Sequence, residues 1–374
     1  PGGRLLLASG SNDGTVRLWD PITGTQASER LAGHTGVVDS VAFGAGPGGQ
    51  LLLASGGDDA TVRLWDPITG TQASEPLTGA TDWVTSVAFG TDPGGRLLLA
   101  SGSNDGTVRL WDPITGTPAG DPLTGHTGFV TSVAFGAGPD GRLLLASGSD
   151  DATVRLWDPI TGAPVGDPLI GHTGFVTSVA LGAAAGRRSR FGRVRPTAAA
   201  RLRAVGLAQS SRSARGWRPV LASGSDDGTV RLWDPVTGAP VSGPLALHTW
   251  VVTSVAFGIG PGDRPMLASG SQDGTVRIWD PATGAPIGEP LIGHMGWVTS
   301  VAFVSAPDGR TVLASGSDDK TVRLWELSTR ACIATLRRRS HVQSVAAAGS
   351  VLAIGDDEGI SVIEFDWNAP RNPG

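Results

Sequence analysis

Regularly spaced tryptophans divide this sequence into units of nearly equal length. Seven of its 12 tryptophans end a segment of the type VRLW. They follow a period of 46 residues that a gap of 76 interrupts once: Trp19, Trp65, Trp111, Trp157, Trp233, Trp279 and Trp325. A fixed period of this size is typical of architectures that stack one supersecondary unit many times. The sequence therefore predicts a fold built from at least seven equivalent units.

Each unit has the pattern of a small antiparallel sheet. In the unit around Trp157, the segments SVAFG (132–136), RLLLASG (142–148) and TVRLWD (153–158) alternate or are briefly apolar, as short strands are. The turn SDDA, or SDDG or SNDG elsewhere, supplies residues that accept positive φ in a tight hairpin, and DPITG reverses the chain after the third strand. A weaker segment, APVGDPL (163–169), predicts an outer edge strand broken by proline.

A four-stranded sheet cannot bury both of its faces alone, so the sheets are expected to stack face to face around a ring. With this arrangement the chain resembles the WD-repeat β-propellers, which form the WD40 family. Its highly regular repeats are similar to those of bacterial members. The resemblance rests on Gly125-His126, VTSVAF, LASGSDD and VRLWD, and it covers nearly the whole chain. It implies an all-β WD40-type β-propeller, with four-stranded antiparallel blades around a central channel, as a single domain over residues 1–374.

The number of blades depends on how the two ends of the sequence are interpreted. The segments HVQSVAAAG (341–349), SVLAIG (350–355) and ISVIEFD (360–366) predict a degenerate eighth unit without an outer strand, followed by a tail over 367–374. The sequence enters at a second strand at Pro1, so the first unit lacks an inner strand. The two missing strands are consecutive in the repeat, which favours eight blades in a fragment that starts within a blade. Seven blades, the commoner number in the family, are the alternative.

Five of the units contain histidine, serine and aspartate, the components of a nucleophilic triad. A catalytic nucleophile needs a unique and exposed setting, whereas here the set recurs around the ring with the serine in mid-strand. No catalytic residue is predicted. The resemblance instead implies a structural hydrogen-bond network that joins the outer loop, the second strand, its turn and the third strand. Its members are His34, Ser55, Asp59 and Trp65; His126, Ser147, Asp151 and Trp157; His172, Ser223, Asp227 and Trp233; His248, Ser269, Asp273 and Trp279; and His294, Ser315, Asp319 and Trp325.

Two units depart from this pattern. Ala80 stands where histidine is expected in the third unit, which leaves Ser101 and Asp105 short of a partner. Arg338 and Ile354 replace the histidine and the serine in the degenerate unit. We expect the third blade to be locally weaker, because an unsatisfied buried polar group costs about 1–3 kcal/mol.

Partner binding is expected where the copies differ. The resemblance implies that three positions of each unit open onto one end of the channel. The first is three residues after the repeat histidine, and the second is two residues further on, where one unit has Asp39 and five have threonine. The third is the residue before the turn aspartate. Aromatic anchors among polar groups are typical of binding hot spots, and acids favour a basic partner. The alternative is a structural role, in which the aromatic side chains pack between blades. We call this set the top rim: Val37, Asp39, Trp83, Phe129, Phe175, Trp250, Val251, Trp297, Asn12, Asp58, Asn104, Asp150, Asp226, Gln272 and Asp318.

One arginine-rich insert interrupts the repeats over residues 183–218, between the first and second strands of a blade and at the end opposite the top rim. It holds ten arginines and no acid, so the rest of the chain has 19 basic against 34 acidic residues. Three interpretations stay open: a solvated or disordered loop, a nucleic-acid contact through arginine with Phe191 and Trp217, or a GC-rich repeat read in a shifted frame. Nucleic acid is not the partner that we favour.

The remaining features limit the function. Cys332 is the single cysteine, so no intrachain disulfide is possible, and we expect a reducing, cytoplasmic location. No metal spacing, phosphate-binding loop or cofactor motif stands apart from the repeat, and no apolar run is long enough to span a membrane. The sequence favours a non-enzymatic, monomeric scaffold that binds a protein or peptide, and the acidic rim favours a basic one. The alternative is a C-terminal sensing or regulatory propeller of a larger signalling protein, behind a kinase or a STAND/NACHT-type ATPase.

Overall fold

Eight antiparallel sheets follow one another along the chain in the computed structural model. It describes residues 6–20, 25–46, 49–185, 217–305, 311–348, 351–356 and 359–364. Each sheet is a meander, in which neighbouring strands are consecutive in sequence. We number these sheets as blades 1 to 8. The sequence-based expectation of an all-β propeller with eight blades is confirmed.

The strands are short, as the turn spacing requires. Blades 1 to 4 contain β1 (Leu7–Gly10), β2 (Thr15–Trp19), β3 (Leu31–Ala32); β4 (Val38–Ala45), β5 (Leu51–Gly57), β6 (Val62–Asp66), β7 (Thr71–Gln72); β8 (Val84–Thr91), β9 (Leu97–Ser103), β10 (Val108–Asp112), β11 (Thr117–Pro118); and β12 (Val130–Ala137), β13 (Leu143–Ser149), β14 (Thr153–Trp157), β15 (Leu169–Ile170). Blades 5 to 8 contain β16 (Val176–Ala185), β17 (Trp217–Ser225), β18 (Val230–Trp233); β19 (Val252–Gly260), β20 (Arg264–Ser271), β21 (Thr275–Trp279), β22 (Leu291–Ile292); β23 (Val298–Ser305), β24 (Thr311–Ser317), β25 (Thr321–Glu326), β26 (Cys332–Arg337); and β27 (Val342–Ala348), β28 (Val351–Asp356), β29 (Gly359–Glu364).

Not every blade has the four strands that the repeat predicts. Among the described residues, blade 1 has no innermost strand and blade 8 no outermost strand, as the sequence indicated. In blade 5 the outer strand is reduced to two isolated bridges, Val230↔Leu245 and Trp233↔Pro240. Proline, which cannot donate to the sheet, interrupts the outer segments of blades 2 to 6, whereas blade 1 has no proline over residues 25–32 and still forms only the two-residue strand β3. Blade 7 has no proline in this segment, and its outer strand β26 runs unbroken over six residues.

The hydrophobic core lies between consecutive blades. One cluster joins Val108 and Leu110 of blade 3 to Val130, Leu145 and Trp157 of blade 4. Six further clusters repeat this arrangement around the chain. Blades 2 to 7 thus each bury one face against the blade before and the other against the blade after, which is the packing that the radial arrangement was expected to give.

Glycine at one position of the inner strand lets consecutive inner strands approach closely. In blades 2 to 6 the inner strand carries a glycine that faces a large side chain of the following blade, and a Cβ on Gly90 would lie 2.5 Å from Cγ of Phe135. Blades 7 and 8 reverse the sizes. Val304 replaces the glycine, and Ala347 replaces the aromatic residue of the next blade. The volume at this joint is therefore kept by an exchange of large and small side chains.

The arginine-rich insert begins and ends on a lengthened hairpin. The strands β16 and β17 pair as far as Ala185↔Trp217, at the end of the hairpin opposite Val176↔Ser225. Residues 186–216, which carry most of the insert, lie outside the described residues, as does the tail over 367–374. The three interpretations of the insert stay as predictions.

Candidate functional site

The histidine, serine, aspartate and tryptophan of a full repeat form one hydrogen-bonded chain. In blade 4, Trp157 Nε1 donates to Ser147 Oγ at 2.9 Å, and Ser147 Oγ lies 2.8 Å from His126 Nε2. The other ring nitrogen, Nδ1, lies 2.9 Å from Asp151 Oδ2. The loop before β12 supplies the histidine, β13 the serine, the following turn the aspartate and β14 the tryptophan. The chain therefore links four segments of one blade.

The direction of these bonds fixes where the proton on the histidine sits. The indole can only donate, so Ser147 accepts from it and gives its own hydrogen to His126 Nε2. Nδ1 then carries the ring proton and donates it to Asp151. Burial lowers the pKa of His126 and keeps the ring neutral, although Asp151 pulls the pKa upward. Burial opposes ionisation of Asp151, but hydrogen bonds from Thr153, Thr127 and His126 prevail and lower its pKa to about 2.

The same geometry recurs in blades 2, 5, 6 and 7. The distance from histidine Nε2 to serine Oγ is 2.7–2.8 Å and that from Nδ1 to aspartate is 2.9–3.1 Å in the sets headed by His34, His172, His248 and His294. The tryptophan of each set donates to the same serine. All five serines are fully buried, so a substrate cannot reach their hydroxyls. This burial is consistent with the structural interpretation.

Two blades show what happens when a member is missing. In blade 3, Trp111 still donates to Ser101 at 2.9 Å, and Asp105 still accepts from Thr107 and from the backbone of Thr81. Ala80 supplies no bond between them. In blade 8, Arg338 occupies the histidine position and its Nε donates to Asp356 Oδ2 at 2.8 Å. An ion pair with a nearly buried carboxylate therefore replaces the network there.

Residues of the top rim come together in pairs, one pair in each blade from 2 to 7. In each pair, the residue that precedes the turn aspartate donates its backbone N–H to the carbonyl oxygen of the rim residue on the preceding loop. In blade 4, Asp150 N donates to Phe129 O at 3.0 Å. The other pairs, at 2.9–3.0 Å, are Asp58 and Val37, Asn104 and Trp83, Asp226 and Phe175, Gln272 and Val251, and Asp318 and Trp297. Asn12 is exposed on the corresponding turn of blade 1.

The rim aromatics are half-exposed. Trp83, Phe129, Phe175, Trp250 and Trp297 keep 47–58 % of their surface open. The alternative interpretation, in which these side chains pack between blades, would require them to be buried. In blades 3, 4, 5 and 7 a backbone bond to the tight turn thus holds an aromatic residue at the rim, while its side chain faces outward.

Asp39 and Asp58 form a carboxyl pair on blade 2. Partial desolvation, a hydrogen bond between the two groups and the charge of Asp58 raise the pKa of Asp39 to about 7. In blades 3 to 7 the position of Asp39 is occupied by a threonine that makes different contacts. Thr131 sits at a β-bulge, and its hydroxyl donates to Val176 O of the next blade at 2.5 Å, with Gly148 O of its own blade 3.1 Å away. These threonines therefore join blades, rather than forming part of a free rim as the resemblance suggested.

Comparison with known proteins fits this geometry. The sequence pattern of the family described as "WD domain, G-beta repeat" matches seven segments that together span more than half of the chain, residues 1–20, 25–66, 71–112, 118–158, 207–234, 243–280 and 284–326. The chain belongs to the WD domain, G-beta repeat family. Among solved structures, this WD-repeat chain is similar to the crystal structure of the computationally designed Ika8 protein, with 25 % identity and a TM-score of 0.73. The alignment covers 98 % of this chain and 95 % of Ika8. No curated protein matches the sequence significantly.

The serines of the WD-repeat inner strands are sites that sequence reasoning missed. Val133 N donates to Ser86 Oγ of the preceding blade at 3.1 Å, and the same bond joins Val87 to Ser40 and Val179 to Ser132. The repeated pair Thr-Ser in VTSVAF was available as a signal. A strictly repeated hydroxyl pair on a mostly apolar strand indicates bonds between copies rather than within one.

Restoring the missing histidine of blade 3 should stabilise the WD-repeat fold. Ala80→His places a ring between Ser101 and Asp105, where the other blades place one. We expect the free energy of unfolding to rise by about 1 kcal/mol, the net value of a buried hydrogen bond. Amide hydrogen exchange measures this directly in blade 3. In the unchanged chain, β9 amides should exchange faster than β13 amides of blade 4. Equal protection would show that blade 3 has no deficit.

Proposed function

We propose that this WD-repeat propeller is a non-enzymatic interaction scaffold whose top rim binds a protein or peptide partner. One observation carries the proposal: five large aromatic side chains are 47–58 % exposed at the same end of consecutive blades. Large apolar side chains on a rigid support lose little conformational entropy when they bind, and tryptophan is over-represented among binding hot spots.

The rest of the rim supports a protein ligand rather than a small substrate. The histidine, serine and aspartate sets are saturated by bonds within each blade, so they are not available for chemistry. Over the described ranges, no group of three or more histidine, cysteine or carboxylate side chains is placed to hold a metal ion. The same part of the chain contains no helix that is both long and apolar enough to cross a membrane. We propose a monomer that works in the cytoplasm, with a basic partner.

The test is alanine substitution of two rim aromatics. We expect Trp83→Ala with Trp297→Ala to abolish partner capture in proximity labelling and pull-down, because truncating hot-spot residues costs at least about 2 kcal/mol each. The fold should persist, since both side chains are half-exposed. A suitable control is Ile114→Ala with Ile160→Ala, which removes equally exposed side chains (52 and 53 %) from the exit turns at the opposite end of the blades.

Circular dichroism and the melting temperature decide how the result is interpreted. If the Trp83 and Trp297 variant unfolds, the two side chains belong to the core and the rim proposal fails. The proposal also fails if that variant stays folded and captures the same proteins as the unchanged chain. Loss of capture by the Ile114 and Ile160 control would move the binding surface to the other end of the blades.

A further inference from the structure

Three blades carry the same unit of three residues at the top rim. In each, a glycine precedes the exposed aromatic residue, and an aspartate faces both from the turn. The units are Gly128, Phe129 and Asp150 in blade 4; Gly174, Phe175 and Asp226 in blade 5; and Gly296, Trp297 and Asp318 in blade 7. Oδ1 of each aspartate packs against the Cα of the glycine, where a Cβ would collide with it. The glycine therefore allows the carboxylate to lie beside the aromatic residue.

These rim aspartates differ sharply from the turn aspartates that follow them. Asp227 accepts from His172, Thr173 and Thr229. Its neighbour Asp226 makes no ion pair within the described part of the chain, and its carboxylate is bonded there by the backbone N–H of Phe175. Oδ1 of Asp226 is buried without a partner, and so is Oδ1 of Asp318. In these two units the described residues thus place no cation beside the rim aspartate.

The electrostatics of Asp226 show the cost of this arrangement. Burial and the adjacent charge of Asp227 raise the pKa of Asp226, although the backbone N–H of Phe175 acts against the shift. A positive group placed beside Asp226 would relieve both effects, because an opposite charge favours the ionised form. A carboxylate that lacks a cation in the free protein is a natural binding site for one in a complex.

The half-exposed ring beside the carboxylate narrows the chemistry of that cation. A guanidinium is planar, stacks on an aromatic face and donates to a carboxylate at the same time, whereas an ammonium is a more strongly hydrated point charge. We propose that the glycine, aromatic and aspartate units of blades 4, 5 and 7 bind arginine side chains of a partner protein segment. This inference rests on the proposed function of the top rim and names the class of its partner. Phosphate-bearing polymers are excluded by the sign of the charge.

Other blades contain incomplete versions of the unit. Blade 2 has Gly36 and Asp58 but Val37 in place of the aromatic residue, and its Asp58 carboxyl is bonded to Asp39. Blade 3 has Trp83, but Asp82 and Asn104 stand in place of the glycine and the acid. These differences make a gain of binding testable. Val37→Phe with Asp39→Thr supplies the missing ring of blade 2 and frees Asp58, because it places there the threonine that blades 3 to 7 have at this position.

The experiment uses the full chain and three peptides measured by fluorescence anisotropy. One peptide carries four arginines separated by glycine and serine, the second carries lysine and the third carries citrulline, the neutral isostere of arginine. We expect the arginine peptide to bind at least about 10-fold more tightly than the citrulline peptide and a few-fold more tightly than the lysine peptide. Asp226→Asn and Asp318→Asn should each weaken arginine binding about 3- to 10-fold, and Val37→Phe with Asp39→Thr should strengthen it about 3-fold.

Asp158→Asn and Asp234→Asn are the matched controls, because they remove the same charge from exit turns at the opposite end and keep the oxygen that caps each turn. These two variants should bind the arginine peptide as the unchanged chain does. The proposal is overturned if they weaken binding as much as Asp226→Asn, or if the citrulline peptide binds equally well. If the Trp83 and Trp297 variant loses its protein partners while no arginine peptide binds, the rim function stands and only the arginine chemistry fails.

Discussion

Gly90→Val should lower the free energy of unfolding by about 3 kcal/mol, at the upper end of what overpacking usually costs. A Cβ at this position would lie 2.5 Å from Cγ and 2.7 Å from Cδ1 of Phe135 in the next blade. Neither group can retreat, because both inner strands are paired to their neighbours and joined by the bond from Val133 N to Ser86 Oγ. Urea denaturation followed by tryptophan fluorescence measures the loss.

A second substitution should restore most of this stability. Phe135→Ala alone leaves a cavity, but the double variant Gly90→Val with Phe135→Ala reproduces the pair Val304 and Ala347 that the chain already uses between blades 7 and 8. We expect the two changes to couple by about 2 kcal/mol, as contacting residues do. Gly243→Val, where a Cβ meets nothing within 4 Å, is the control and should have little effect. A double variant no more stable than Gly90→Val would refute the size-exchange explanation.

Mild acid should destabilise the protein strongly. Burial lowers the pKa of His34, His126, His172 and His294 below the ordinary 6.5. The unfolded chain therefore binds more protons than the folded one below about pH 6.5, and stability falls with pH by up to about 1.4 kcal/mol per unit for each histidine. Below pH 3.8 the turn carboxylates add to the loss, since the pKa values of Asp151 and Asp227 are lowered to about 2.

The measurement is the melting temperature by circular dichroism between pH 7.5 and 4.5. Asp39 and Asp226 have the opposite effect on stability, because their raised pKa values favour the folded state at lower pH. We expect the four histidines to outweigh these two carboxyl groups. His126→Ala removes one titrating ring, so it should be less stable at pH 7.5 and show a shallower fall. A melting temperature that is constant or rises from pH 7 to pH 5 would contradict the neutral, buried histidines.

The repeat made much of this fold predictable, and the reason is physical. Copies related to TVRLWD state the boundaries of the third strand seven times, and copies related to VTSVAFG state those of the first strand six times, so local ambiguity in one copy is resolved by the others. The placement of the network members on four segments came from the resemblance to WD-repeat proteins. The short outer strands of blades 2 to 6 were also predictable, because proline forbids a ladder donor there, but this rule does not separate the two-residue strand β3 of blade 1 from the six-residue strand β26 of blade 7, since neither contains proline.

Properties that arise between copies were harder to foresee. The threonine of VTSVAF looked like a rim residue, but a β-bulge turns its hydroxyl toward the next blade. The carboxyl pair of Asp39 and Asp58, and the uncompensated charge of Asp226, depend on which groups lie within a few ångströms across two loops. No periodicity in the sequence encodes such distances.

The joint between blades 7 and 8 has a consequence for the order in which the blades assemble. Blades 2 to 6 share the same small inner-strand residue facing the next blade, so their joints are interchangeable and one blade could dock on the wrong neighbour during folding. Val304 accepts only a neighbour with a small residue, and Ala347 provides it. The inner strand of blade 8 therefore differs from the five similar inner strands that could compete for this joint. This difference fixes the position of one blade in a chain whose other blades are nearly identical.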